Sequence, residues 1–285
     1  MNVSDLPASP VGVHTISEAE YHADTVALSS SGARRLLPPS CPAKFRHEQL
    51  HGRPPKAAFD FGHAAHSLIL GVGQPLVIVD AKNWTTKAAK EQRDEAYAAG
   101  HVPILVSEHE QVVAMAAAIR EHPTAAALLD PSTGAPEQSL YWTDERTGVP
   151  LRARLDWLPH VTERRMVIPD YKTTISADPE SIAKSVWTYG YYAQAAFYID
   201  AVHALGLDDD PAFVLICQEK TAPYLVAVVE PDAQALAVGR ARNRQAIDIY
   251  ADCTATDTWP GYSEAVELVS LPRWAATDLD MEMTA

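Results

Sequence analysis

The spacing of apolar and polar residues changes character near residue 137. Upstream of it the readable segments have helical spacing, and downstream they mostly alternate as strands do. Residues up to about Thr25 carry few periodic signals and read as a loosely held arm. Ser29, Ser30, Ser31 and Gly32 then introduce a short helix at 33–37, capped by serine and stopped by Pro38 and Pro39. The pattern predicts a second helix over 59–70 ended by Gly71 and Gly73, a short strand at 76–79, a charged exposed helix at 86–99 and an alanine-rich amphipathic helix at 108–121. Beyond them, residues 137–142 alternate, 144–148 form a turn, 151–158 alternate again and 166–172 follow as a third strand. Three such strands predict an antiparallel meander, with 160–165 as the turn between the last two. A long helix over 179–205 comes next, opened by Pro179 behind Asp178 and closed by Gly206. Strands at 213–219 and 224–229 and a helix at 231–250 complete the order helices, then βββαββα. The domain plan is an arm at 1–25 and one domain over 26–252, divided into a helical half at 26–135 and a core at 136–252. A C-terminal segment at 253–285 follows, with its last dozen residues expected to fray.

The chain has 285 residues, 47% of them hydrophobic and 21% charged, which places it among ordinary globular proteins able to bury a large core. No apolar run approaches the ~20 residues of a membrane span, and residues 1–9 have neither the basic start nor the apolar centre of a signal peptide. A soluble, unsecreted, cytoplasmic protein is expected. Cys41, Cys217 and Cys253 are odd in number and far apart, which fits a reducing compartment and cannot supply the four thiolates of an iron–sulfur cluster. A net charge of −14 argues against broad attraction to polyanions. Its distribution softens that objection. Arg34, Arg35, Lys44, Arg46, Arg53 and Lys56 lie between Gly32 and Lys56 against the single acid Glu48, so a local basic surface for phosphates is compatible with an acidic whole.

Candidate chemistry centres on Asp170, Tyr171 and Lys172, at the end of the apolar run that starts at Met166. Alternation points Asp170 and Lys172 to one face and Tyr171 to the other layer. A hairpin with the preceding strand brings Asp156 beside Asp170. Two carboxylates make a hard-oxygen pocket suited to Mg²⁺ or Mn²⁺, and with a lysine they are the minimum equipment for metal-dependent phosphodiester cleavage. An Asp-x-Lys triplet alone is common; its setting, after another Asp-bearing strand and before a helix rich in Trp, Tyr and Gln, makes it specific. His63 and His66 lie i, i+3 on an apolar helix, and spacing does not choose between them as ligands. Trp187, Tyr191, Gln194 and Tyr198 form one stripe on the long helix, and its amide and phenols are costly to bury unpaired. Glu137 is a candidate further acid on the first strand, although a plain solvent-facing Glu is the commoner case. Arg152 and Arg154 share a face with Asp156, either to bind phosphate or to balance the carboxylates.

Taken in order, Leu28-Ser29-Ser30-Ser31, Ser40-Cys41-Pro42-Ala43-Lys44-Phe45, Gly62-x-Ala64-x-His66-x-Leu68, Arg154-Leu155-Asp156, Asp170-Tyr171-Lys172-Thr173 and Gln194-Ala195-Ala196-Phe197-Tyr198 resemble the PD-(D/E)XK nuclease superfamily. The similarity is to its RecE-like branch, typified by exodeoxyribonuclease VIII and common in phages and prophages, and it spans about residues 21 to 250. The resemblance implies a restriction-endonuclease-like α/β core, with a central mixed sheet flanked by helices and a helical N-terminal half. It implies that His66, rather than His63, holds a metal together with Asp156, Asp170 and the Tyr171 carbonyl. It further implies that Lys172 positions or helps deprotonate the attacking water, that Gln194 and Tyr198 complete a Gln-x-x-x-Tyr motif, and that Glu137 need not be catalytic. The implied activity is 5′-to-3′ exonucleolytic cleavage of double-stranded DNA with one or two Mg²⁺ or Mn²⁺ ions, leaving 3′ overhangs. The implied setting is a bacterial or phage-infected cell, in which a homo-oligomeric ring serves a strand-annealing recombinase. The alternatives are a structure-specific endonuclease or single-strand exonuclease on the same fold, and a non-catalytic DNA-end or recombinase-binding module.

Overall fold

The computed structural model describes residues 10–52 and 60–271; Arg53, Lys56 and Phe59 lie outside them. The described chain opens with β1 (Gly12–His14), α1 (Glu18–Ala23), β2 (Leu28–Ser29), α2 (Ser30–Leu36) and α3 (Pro42–His51). It continues through α4 (Asp60–Leu70), β3 (Leu76–Val79), α5 (Lys87–Ala98), β4 (Val102–Leu105), α6 (Val106–Glu121) and α7 (Pro123–Leu128). The strands β5 (Gly134–Thr143), β6 (Pro150–Pro159) and β7 (Val167–Thr174) follow, then α8 (Pro179–Tyr189), α9 (Tyr191–Ala204), β8 (Ala212–Glu219), β9 (Val226–Val229) and α10 (Ala233–Thr256). Among the described residues no helix is long and apolar enough to cross a membrane.

The architecture is the expected mixed α/β one, but its strands are partitioned differently. β5 and β6 form an antiparallel hairpin, with β1 on the outer edge of β5 and β2 parallel to β6. β7 pairs parallel with β8, which pairs antiparallel with β9. No backbone ladder joins β6 to β7 among the described residues, so the predicted three-stranded meander is absent. A side chain explains the break: Asp156 Oδ2 accepts the Tyr171 N–H at 2.8 Å, occupying a donor that a ladder would use. The two sheets meet at that seam.

Strand alternation divides the interior. Ile168, Phe213 and Leu215 point into the larger core, where Leu140, Leu151, Leu155 and Phe197 are also fully buried. Tyr171 and Ile216 face the opposite way, against Ala64 and Ala65 of α4 and Met115 and Ile119 of α6. Gln218 ties this second core together, accepting from the Tyr171 hydroxyl at 2.8 Å and donating to the Met115 carbonyl at 2.8 Å. Each polar atom so paired avoids the cost of an unsatisfied buried group.

Three further differences bear on the site. Residues 10–25 are not a loose arm: β1 is zipped to β5, and α1 begins with a capping box in which Ser17 and Glu20 bond each other's backbone N–H. Tyr21 of α1 is buried. The helix expected over 179–205 is broken at Gly190, which takes the left-handed φ of 71°. A Cβ there would also lie 2.8 Å from Cδ of Arg34, so this corner needs glycine for space as well as for backbone angle. Finally, α2 and Phe45 of α3 pack with α9 and α10 in the larger core, apart from α4 and α6 in the second one.

Candidate active site

The polar face of the β5–β6 hairpin lays out much of the site. Its register places Tyr141 opposite Arg152 and Ser139 opposite Arg154, and continuing it places Glu137 opposite Asp156. Glu137 itself has φ 54°, a left-handed conformation that non-glycine residues rarely adopt, and the ladder skips this pair. Backbone departures of this kind gather where a side chain must be aimed. His66, midway along α4, enters between the two acids: Nδ1 lies 3.3 Å from Glu137 Oε1 and Nε2 lies 3.2 Å from Asp156 Oδ1. Donor atoms of His66, Glu137 and Asp156 all fall within 4.8 Å of one another. Two carboxylates and an imidazole suit a divalent cation, so this donor set fits the metal that the fold implies.

Across the seam, Asp170 and Lys172 share the face that alternation assigns them. Lys172 Nζ pairs with Asp170 Oδ2, and Gln194 of α9 donates to Asp170 Oδ1 at 2.8 Å. Tyr198, one turn further along α9, donates its hydroxyl to the Arg154 carbonyl at 2.8 Å and so braces β6. Tyr171 engages the site through its N–H, bound to Asp156, while its ring lies in the second core. The residues expected to act together therefore form two linked groups, His66–Glu137–Asp156 and Asp170–Lys172–Gln194. His66, Glu137, Asp156 and Gln194 line a cavity of about 910 Å³ that also meets α1, α2 and the α8–α9 corner, and Asp170 and Lys172 lie behind Gln194 and Tyr191.

Burial and charge set the protonation states. Burial alone would raise Asp156, but the His66 and Lys172 charges and the Tyr171 N–H hold it well below the usual range. Asp170 moves the other way, raised first by burial and then by the Asp156 charge, with Lys172 opposing. Lys172 is raised: burial would lower it, and Asp170 and Asp156 outweigh that. Burial would likewise depress His66, yet Asp156 and then Glu137 lift it to about 9. At neutral pH His66 is thus an imidazolium clasped by two carboxylates. A cation bound to the same three residues must displace that proton, so affinity should climb as pH rises toward 9, with one proton released per ion. Calorimetry of Mn²⁺ binding in buffers of different ionisation enthalpy measures this release; a binding heat independent of buffer contradicts the assignment of His66 as a ligand.

Glu137 is the site residue for which the sequence favoured the wrong one of two readings. It is not solvent-facing: its side chain is 20% exposed, wedged between His66 and the Arg154 guanidinium. The available signal was its place opposite Asp156 once 144–148 is taken as a hairpin turn. The basic residues scatter more widely. Arg152 is buried, with its guanidinium 4.5 Å from the Tyr21 ring centre and bonded to the Tyr21 carbonyl. Arg154 pairs with Glu137 and donates to the Ile16 carbonyl and the Ser139 hydroxyl. Arg35 pairs with Glu48 at 3.0 Å, Arg46 binds Gln49 and covers Trp259, and Lys44 binds the Tyr262 hydroxyl. Of the helix 2 and 3 candidates, Arg34 lines the cavity. Trp187 of the predicted stripe is 65% exposed and stacks on Tyr192, because the break at Gly190 takes it out of line with Gln194.

Comparison with known proteins agrees with the fold. A protein of Eubacterium rectale named "Putative exonuclease" has a crystal structure that matches at a TM-score of 0.59 with 14% identity, covering 93% of this chain and 98% of its own, which shows a shared fold. No curated protein matches the sequence. Residues 29–272 match the PDDEXK-like domain of unknown function, which takes in both strands of the seam and every residue of the two linked groups. With that match extending over most of its length, the chain belongs to this PDDEXK-like family.

Proposed function

We propose that the protein is a metal-dependent deoxyribonuclease of RecE-like type, hydrolysing DNA from duplex ends 5′-to-3′ and leaving 3′ single-stranded overhangs. The observation that carries the reading is the His66–Glu137–Asp156 cluster on the wall of one cavity, joined to the Asp170–Lys172 pair by the Tyr171 N–H that Asp156 accepts and by Gln194, which lines the cavity and binds Asp170. One or two Mg²⁺ or Mn²⁺ ions held there, with Asp170 and the Tyr171 carbonyl as further proposed ligands, would neutralise phosphoryl charge and lower the pKa of a bound water. Lys172, held cationic by its two acids in the absence of metal, would position that water and the scissile phosphate or help deprotonate the water once bound cations offset those acids. Gln194 fixes the carboxylate of Asp170, and Tyr198 fixes the strand that carries Asp156. Assembly as a homo-oligomeric ring and service to a strand-annealing recombinase belong to the same proposal and rest on the sequence resemblance.

Linear and closed-circular duplex DNA, each incubated with Mg²⁺ and with chelator, test it. Metal-dependent release of nucleotides from the linear form alone is expected. Nicking of the circle points to an endonuclease, and binding without cleavage to a DNA-end module. Because Arg35 is paired with Glu48, Arg35→Ala should leave the salt dependence of binding nearly unchanged. Arg34→Ala should flatten its logarithmic slope by about 0.9, the value for one neutralised phosphate. Titration at several salt concentrations measures both, and equal slopes for parent and Arg34→Ala would remove Arg34 from the DNA path.

A further inference from the structure

The rim of the catalytic cavity carries two tyrosines that the hydrolytic chemistry leaves unused. Tyr189 ends α8 and Tyr191 begins α9, and both line the cavity. Their ring centres lie 5.7 Å apart with the planes inclined by 37°. Tyr191 also sits over Lys172, with Nζ 5.3 Å from its ring centre, so the pair leads outward from the reacting centre. Tyr189 is 53% exposed, although its ring is large enough to be worth burying. At the corner that displays it Gly190 is left-handed, with the Arg34 side chain packed beside it.

The chain's charge makes this arrangement informative. At −14 overall the chain repels phosphates, and of its arginines only Arg34 and Arg154 are among the described residues lining the cavity, Arg154 already paired with Glu137. Stacking on a nucleobase needs no net positive charge and tolerates every sequence, because each base has a π face. An aromatic step beside the catalytic lysine supplies that contact.

We infer that Tyr189 stacks on an unpaired nucleobase of the strand entering the cavity, with Tyr191 between that base and Lys172, so that the site takes duplex ends whose terminal pairs have frayed. The inference rests on the nuclease reading above and adds its substrate class. Tyr189 acts here as a binding residue and touches no reacting atom.

The full-length protein is titrated, with chelator present, with a short fluorescent oligothymidylate and with its abasic analogue of equal length, which carries the same charge without bases. The parent should prefer oligothymidylate by about ten-fold or more, the size of one base–aromatic stack. Tyr189→Ala and Tyr189→Leu should bring the ratio close to one, and Tyr189→Phe should restore it. In cleavage assays Tyr189→Ala should raise KM and leave kcat near the parental value, a split that a merely structural residue would not produce. If Tyr189→Ala and Tyr189→Leu keep the parental preference for bases, the stacking proposal is wrong. Binding is measured without cleavage, so it decides this question separately from the nuclease reading, which fails if the parent releases no nucleotides.

Discussion

Asp170→Asn is expected to abolish DNA cleavage while leaving the fold intact. The substitution keeps the shape of a side chain that is 1% exposed and preserves an oxygen for the Gln194 amide. It removes the charge that faces Lys172 and the seam. If that charge contributes the several kcal/mol usual for metal-assisted stabilisation of a phosphoryl transition state, turnover falls by at least about a thousand-fold. Lys172→Met makes the complementary test. Lys172 lowers the proton affinity of Asp170, so without it the carboxyl, already raised by burial and by Asp156, rises further. Cleavage should be lost while Mn²⁺ still binds the His66 cluster, because Lys172 donates and is no ligand. Single-turnover cleavage, with circular dichroism to verify folding, measures both variants. Parental rates in both would place the chemistry elsewhere.

The second large effect concerns His66. Removing a direct donor should cost more than the 10–100-fold in metal affinity that is usual for partners one shell out, so His66→Ala is expected to weaken metal binding by about a hundred-fold or more and to suppress cleavage. His63→Ala should change either property by far less, since His63 lies on the exposed side of the same helix while His66 stands between Glu137 and Asp156. Mn²⁺ titration followed by cleavage at saturating metal separates affinity from turnover. A greater loss in the His63 variant would move the ligand by one helical turn.

Much of this site lies in short-range pattern and is legible from residues alone. A period of two is enough to put Asp170 and Lys172 on one face and the Tyr171 ring on the other. A period of 3.6 is enough to place Gln194 and Tyr198 one turn apart on a common helix face, where they reach Asp170 and the strand of Asp156. The capping box of Ser17 and Glu20 was equally local and marks a helix where an arm was expected. These features depend on the backbone's repeat and on nothing distant.

Tertiary structure decided what depends on partners far away in the chain. Glu137 reads as an ordinary surface acid until hairpin register sets it across from Asp156 and α4 brings His66 between them. Gly190 reads as tolerable inside a long helix until Arg34 fills the space beside it and the chain turns there. The basic run from Arg34 to Arg46 looks like one surface, yet its members turn to different neighbours: Arg35 to Glu48, Arg46 to Gln49, Lys44 to Tyr262 and Arg34 to the cavity wall. Local sequence specifies which face a side chain takes; which neighbour waits there is set by strand register and helix packing, and those are fixed only when distant segments bury their apolar faces together.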